Sequence, residues 1–163
     1  MTQNSCALHL PREPVSQPPS IVADDVSIDL LEIAADASVR REALSILVVD
    51  DDEMICRAVS RLLKRTCDRV YTACSAAEAR SILRAHRVDF LLCDFDLDSN
   101  ECDGATLTTQ LRMQFPKIRH AVIFSGELPG QIPPCSAADA IWSKKSAISN
   151  LSERIETVSR SWG

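Results

Sequence analysis

The sequence lacks any apolar run that approaches the length of a membrane span. A transmembrane helix needs about 20 consecutive apolar residues. The first residues, MTQNSCALHLPREP, also lack the basic stretch, apolar stretch and cleavage pattern of a secretory leader. We therefore expect a cytoplasmic protein with no membrane partner.

An excess of basic residues is also missing. The chain has 18 Lys and Arg against 23 Asp and Glu, a formal net charge of -5. Because phosphate backbones are bound by clustered cations, we expect no nucleic-acid partner. With 45% hydrophobic and 25% charged residues in 163 positions, the composition is typical of one globular domain with a tail.

The cysteines lack the pattern of a disulfide framework or a zinc site. There are seven, an odd number, and no CxxC pair occurs among them. We interpret them as reduced thiols that mostly pack. Strand alternation predicts that Cys93 points into the core, away from Asp94, and a redox-sensing role is the alternative.

Residues 1–44 have a different pattern from the rest of the chain. The first 23 residues contain four of the eight prolines and no apolar period, so no helix or strand is expected there. Residues 27–44, SIDLLEIAADASVRREAL, have near-helical apolar spacing and predict an amphipathic helix. We predict a flexible extension whose helix packs on the domain or frays. A partner-binding or dimerising helix, and with it a homodimer, is the alternative.

From residue 45 to residue 163, short apolar runs alternate with helical patterns. The runs are SILVVDD, VYTA, VDFLLCD, HAVIFS and AIWSK, in the style of strands buried on both faces. Ser75 with Glu78 is a capping box for the second helix. This alternation predicts a doubly wound α/β fold with a five-stranded parallel sheet. Two apolar helical faces are expected: Ile55, Val59, Leu62 and Leu63 on the first helix, and Ile148, Leu151, Ile155 and Val158 on the last.

The segment between the fourth and fifth strands departs from this alternation. It reads GELPGQIPPCSAAD, and Pro133 and Pro134 cannot lie inside a helix without breaking it. The fourth helix is therefore predicted to be short, displaced or absent.

Functional groups follow the strands of the predicted sheet. Asp50, Asp51 and Asp52 follow the first strand and Asp94 follows the third. The carboxyl ends of parallel strands form the usual ligand crevice, and clustered carboxylates need a cation, with hard oxygen ligands favouring Mg²⁺. Helix capping is the alternative for the first three acids. A metal and a lysine, here Lys144 after the fifth strand, would let Asp94 act as a nucleophile toward a phosphoryl group.

The motifs VVDDD, LLCD, IFSG and SK occur in this order and resemble the receiver domains of bacterial two-component response regulators. The resemblance covers residues 45–163. It implies a flavodoxin-like fold and a phosphoacceptor signalling protein, not a conventional enzyme, that assists its own phosphorylation and dephosphorylation. A histidine kinase or phosphotransfer protein would supply the phosphoryl group, and an unidentified protein would be the downstream target.

The resemblance also assigns roles to residues. Asp94 is similar to the phosphoacceptor and is a metal ligand. Asp51 matches a direct Mg²⁺ ligand, Asp50 a partner of the metal's waters, and the backbone carbonyl of Asp96 completes the protein ligands. Lys144 matches the phosphate-pairing lysine.

Ser125 matches the hydroxyl residue that turns toward the phosphoryl group and couples it to the signalling face.

Three departures from the family pattern stand beside these matches. Lys145 occupies the position of a usual cis-proline, and Ile141 that of a usual aromatic residue, with Trp142 on the opposite strand face. The loop DFDLDSNECDG is longer than usual and lacks a proline, although Asp103 and Gly104 match its end.

These observations favour a stand-alone receiver that signals through protein-protein interaction. The first alternative is a phosphate-independent receiver that acts as a docking scaffold, motivated by Lys145, Ile141 and the broken fourth helix. A hydrolase of small phosphate esters would need a substrate pocket or cap for which little chain is left. DFDLDSN also resembles a haloacid-dehalogenase motif, but the order of motifs is reversed. A calcium loop is disfavoured by Ser99 and Ala105 at its sixth and twelfth positions.

Overall fold

The computed structural model describes residues 43–97, 102–127 and 129–162. The predicted extension at residues 1–44, with its helix at 27–44, lies outside the described residues except for its last two positions. Its flexibility, its helix and the domain boundary stay predictions.

Five strands form one parallel sheet in the order β2-β1-β3-β4-β5. Helices pack on both faces of this sheet. Together with the strand order, this arrangement confirms the doubly wound α/β prediction. The strands are short and rich in β-branched and large apolar residues, which suits strands covered on both faces. Their bounds are β1 Ser45–Val49, β2 Arg69–Ala73, β3 Phe90–Cys93, β4 His120–Ser125 and β5 Ala140–Ser143.

Three helices begin at side-chain caps, formed by Asp52, Ser75 and Asp103. The Ser75 hydroxyl accepts from the Glu78 N–H at 3.2 Å, as the capping-box prediction requires, whereas the Glu78 carboxylate accepts from the Cys74 N–H at 2.8 Å, one residue before the cap. No helix among the described residues has both the length and the apolarity to cross a bilayer. The helices are α1 Glu53–Leu63, α2 Ala76–Ala85, α3 Gly104–Gln114, α4 Lys144–Ala147 and α5 Leu151–Arg160.

The core has two parts, one on each face of the sheet. Alternate β1 residues face opposite ways: Ile46 and Val48 pack with α1 and α5, whereas Leu47 and Val49 pack with α2 and α3. The predicted face of α1 needs one correction, because Leu62 is 43% exposed and Cys56 is buried in its place.

The connection between β4 and β5 contains only a 3-10 turn, Pro129–Gln131, among its described residues, as the prolines predict. The predicted closing helix over residues 146–160 is interrupted by a second 3-10 turn, Ile148–Asn150. The turn shifts Ile148 off the apolar stripe, and its side chain is exposed, while Leu151 and Ile155 are buried. Val158 packs partly against the core.

Candidate functional site

The sheet brings the predicted acids to one edge. Val49 and Cys93, the last residues of β1 and β3, are paired in register, so Asp50 and Asp94 follow side by side. The Asp94 N–H donates to the Val49 carbonyl at 2.8 Å, which holds the two strand ends together. Both carboxylates are buried. The predicted meeting of these groups at the carboxyl ends of the strands is therefore present in the structure.

Lys144 bridges the two buried carboxylates. It is the first residue after β5, and its Nζ lies 2.6 Å from Asp50 Oδ2 and 2.8 Å from Asp94 Oδ2. The Phe95 N–H donates to the other Asp94 oxygen, Oδ1, at 2.8 Å. One ammonium and one amide thus fix the orientation of the Asp94 carboxylate.

The electrostatics of the site show a shortage of positive charge. Burial raises the pKa of Asp94 above its usual value, although hydrogen bonding and attraction to Lys144 oppose the shift. Burial by itself would lower the pKa of Lys144, but its hydrogen bonds to Asp50 and Asp94 outweigh burial, and this pKa is raised. Lys144 is therefore firmly protonated, yet it does not fully compensate the carboxylates around it.

Asp51 completes a cluster that fits a divalent cation. One carboxylate oxygen from each of Asp50, Asp51 and Asp94 lies within 4.8 Å of the others. The donors are all hard oxygens, and Asp51 is exposed, so a bound ion would keep access to water as Mg²⁺ prefers. Three carboxylates face a single lysine, which leaves charge for a cation to neutralise. Among the described residues, this donor set fits Mg²⁺.

Asp52 has a different role from its two neighbours. Its Oδ1 accepts from the Met54 N–H at 2.7 Å, which caps α1, and its own N–H donates to Asp50 Oδ1 at 3.1 Å. Helix capping, the alternative for all three acids after β1, thus describes Asp52, whereas Asp50 and Asp51 belong to the cluster.

The structure does not bring the side chain of Asp96 into the cluster. Asp96 is exposed, and residues 98–101 that follow it lie outside the described part of the chain. The part predicted for it uses its backbone carbonyl, and that role stays a prediction.

Ser125 is fully buried at the end of β4. Its hydroxyl oxygen accepts from the Glu127 N–H at 3.1 Å. This contact ties the hydroxyl to the start of the β4–β5 connection, whose described residues include the 3-10 turn Pro129–Gln131.

Gly104 is a structural requirement of the site that sequence reasoning noted only as a motif match. A β-carbon on Gly104 would lie 1.7 Å from the backbone oxygen of Asp94. Its N–H donates to the Phe95 carbonyl at 2.8 Å, while Asp103 caps α3 by accepting from the Thr106 N–H at 2.7 Å. The Asp-Gly pair was the available signal, and the close approach to Asp94 is its physical reason.

The structure also shows where the residues lie that depart from the pattern of the receiver domains. Lys145 is exposed in the short helix α4, and no cis peptide bond occurs among the described residues. Ile141 is half-buried. Trp142 packs in the core on the Phe90 side of the sheet, with ring centroids 6.1 Å apart.

Cys93 is fully buried, as predicted from strand alternation. Its thiol donates to the Asp94 carbonyl at 3.4 Å. Burial raises the pKa of this thiol to about 12, so the reactive thiolate is scarce near neutral pH. These properties favour the packing role over redox sensing.

Comparisons with known proteins agree with this geometry. The family model described as the response regulator receiver domain matches residues 46–130, just over half of the chain. No curated protein matches the sequence.

Solved structures share the fold. A response regulator from Thermotoga maritima is 23% identical, over 72% of this chain and 98% of its own, with a TM-score of 0.61. A CheY-like receiver domain protein from Methanospirillum hungatei JF-1 is 23% identical, over 72% and 94%, with a TM-score of 0.62. The Thermotoga maritima protein TrrA, solved in complex with Mg²⁺-BeF, is 20% identical, over 70% and 97%, with a TM-score of 0.59.

Proposed function

Because the chain belongs to the response regulator receiver domain family, we propose that Asp94 accepts a phosphoryl group from a histidine kinase or a phosphotransfer protein. The reaction depends on Mg²⁺, and the changed surface then binds or releases a protein target. The observation that carries this proposal is the contact of Lys144 with both Asp50 and Asp94, beside the third acid of the cluster. The protein is in this account a phosphoacceptor that assists its own phosphorylation and dephosphorylation, without a separate substrate to turn over.

The chemistry is a displacement at phosphorus. An oxygen of the ionised Asp94 carboxylate forms a bond to phosphorus, and the bond between phosphorus and the imidazole nitrogen of the donor histidine breaks. Lys144 and the Phe95 N–H orient the attacking carboxylate before the reaction. The ammonium of Lys144 then pairs with the phosphoryl oxygens as charge develops on them.

Asp50, Asp51 and Asp94 would hold Mg²⁺, with the backbone carbonyl of Asp96 as a further ligand. When bound, the ion supplies positive charge that stabilises the transferring phosphoryl group. The raised pKa of Asp94 supports this assignment, because a second cation would favour the ionised form that the attack requires.

Ser125 would carry the signal out of the site. Its hydroxyl is held by the Glu127 N–H, and we propose that it leaves this partner for a phosphoryl oxygen on Asp94. The start of the β4–β5 connection would then lose an anchor. Because the described part of this connection holds a 3-10 turn, we expect the response to be a movement of this segment.

A phosphate-independent docking scaffold is the second candidate. Lys145, Ile141 and the 3-10 turn found among the described residues between β4 and β5 favour it, since each departs from the usual family pattern. A stand-alone single-domain arrangement, a homodimer and a cytoplasmic location stay predictions.

The proposal is tested by incubating the protein with acetyl phosphate or beryllofluoride and Mg²⁺. We expect a mass gain of one phosphoryl group with the first, and a Mg²⁺-dependent change in tryptophan fluorescence with the second. Asp94→Asn should abolish both responses. Asp52→Asn is the matched control, because it removes one neighbouring carboxylate and keeps the helix cap.

The two candidates give different outcomes. Equal labelling of wild type and Asp94→Asn would overturn the acceptor assignment. A folded protein that responds to neither reagent would favour the scaffold.

A further inference from the structure

A cleft at the end of the sheet opposite Asp94 has an apolar floor and a basic rim. It lies where α2 and α3 end and β3 and β4 begin, and it has a volume of about 420 Å³. Its floor includes the buried side chains of Leu83, Val88 and Ile118, and the apolar surface that it offers comes from the half-buried Phe115 and the exposed Pro116 beside them. Val88 precedes β3 and Asp94 follows it six residues later, so the cleft is about 20 Å from the acceptor.

The rim has charge of one sign. Arg84, His86, Arg87 and Lys117 line the cleft, and no Asp or Glu does. Arg87 Nε pairs with Asp89 Oδ1 at 3.2 Å, and the His86 ring stacks on Tyr71 with centroids 4.6 Å apart. These two cation-forming side chains therefore already have partners.

Arg84 and Lys117 are different. Neither side chain makes a hydrogen bond or an ion pair with another described residue. Helix C-termini favour nearby cations, but a lysine or arginine used in that way commonly bonds to the last carbonyls, and these two do not. Both are exposed, so two unpaired cations stand at the edge of an apolar surface.

We propose that this cleft binds an acidic peptide segment of a partner protein that also carries large apolar side chains. The apolar side chains would cover Phe115 and Pro116, and the carboxylates would pair with Arg84 and Lys117. Charge complementarity argues for this occupant, because a neutral apolar segment would leave both cations unpaired, and an inorganic anion would leave the apolar surface of Phe115 and Pro116 uncovered. The distance from Asp94 makes this binding separate from phosphoryl transfer.

The test uses the full chain and a short, fluorescently labelled synthetic peptide of leucine and glutamate, with its leucine and glutamine analogue for comparison. Fluorescence anisotropy should detect binding of the glutamate peptide, weaker binding of the analogue, and loss of affinity as salt rises. Arg84→Glu combined with Lys117→Glu should weaken binding at least tenfold. Arg61→Glu combined with Lys64→Glu, two exposed cations at the end of α1, is the control for the same change in charge elsewhere and should bind as wild type does.

Three results would overturn the proposal. They are no binding of the glutamate peptide, equal binding by wild type and the double variant, or equal binding of the glutamate and glutamine peptides. Displacement of the peptide by millimolar inorganic phosphate at constant ionic strength would be a fourth such result, because the cleft would then be a site for small anions. Circular dichroism of the double variant shows that a loss of binding is not a loss of fold.

Discussion

Replacing Gly104 by alanine should damage the fold and the acidic site together. The new β-carbon would lie 1.7 Å from the Asp94 backbone oxygen, well inside the 3.0 Å below which such contacts essentially do not occur. The neighbour is backbone and cannot rotate away, so either α3 or the end of β3 must move by more than 1 Å. Overpacking of this kind costs about 1–3 kcal/mol, partly offset by the better helix propensity of alanine, by at most about 1 kcal/mol.

We therefore expect Gly104→Ala to lower the free energy of unfolding by about 1–2 kcal/mol and Tm by roughly 4–8 °C. The response to beryllofluoride with Mg²⁺ should weaken at temperatures where the variant is still folded, because the displaced carbonyl belongs to Asp94. Gly130→Ala is the matched control, since nothing lies within 4 Å of a β-carbon at that position. Urea denaturation measures both variants. Equal stability of Gly104→Ala and wild type, with an intact beryllofluoride response, would refute the reasoning.

Two further predictions concern cations and protons. Mg²⁺ at 100 times its dissociation constant should raise the free energy of unfolding by about 2.7 kcal/mol, and Asp51→Asn should lose most of this gain in urea titrations; an unchanged gain would remove Asp51 from the metal site. Burial lowers the pKa of His120, with attraction to Asp139 opposing and repulsion from Arg112 adding to the shift. Because the folded pKa lies below the unfolded value of about 6.5, this contribution to stability is present above that pH and is lost as pH falls below it. His120→Gln should therefore lose less stability than wild type between pH 7.5 and 5.5 in urea titrations, and equal losses would contradict the assignment.

Much of the fold could be predicted from the order of the apolar runs, because each strand contains enough apolar residues to be recognised on its own. The errors arose where local pattern and tertiary packing disagree. Helical spacing placed Leu62 on the buried face of α1, but Cys56 fills that position against the sheet. Ile148 fits the apolar stripe of a regular helix and leaves it because the chain makes a 3-10 turn there.

Which residues meet in the candidate site could also be predicted from the sequence. Parallel strands end at one edge, so the acids and Lys144 could be expected to meet without knowledge of distances. The separate roles of the adjacent acids could not be predicted, since Asp51 and Asp52 are the same residue type and differ in what their carboxylates reach: the cluster for Asp51 and the Met54 N–H for Asp52. The steric need for Gly104 depends on how closely α3 approaches β3, and no local pattern reports that distance.

The bridge from Lys144 bears on how a newly made copy of this protein matures. Many metal sites assemble only when the ion arrives, because their buried charges cannot otherwise be gathered, and folding then follows metal supply. Here the chain provides its own counter-ion, at 2.6 and 2.8 Å from the two buried carboxylates. We expect folding to proceed at any magnesium concentration. Scarcity of magnesium would then produce folded molecules that cannot be phosphorylated, instead of unfolded molecules that are degraded.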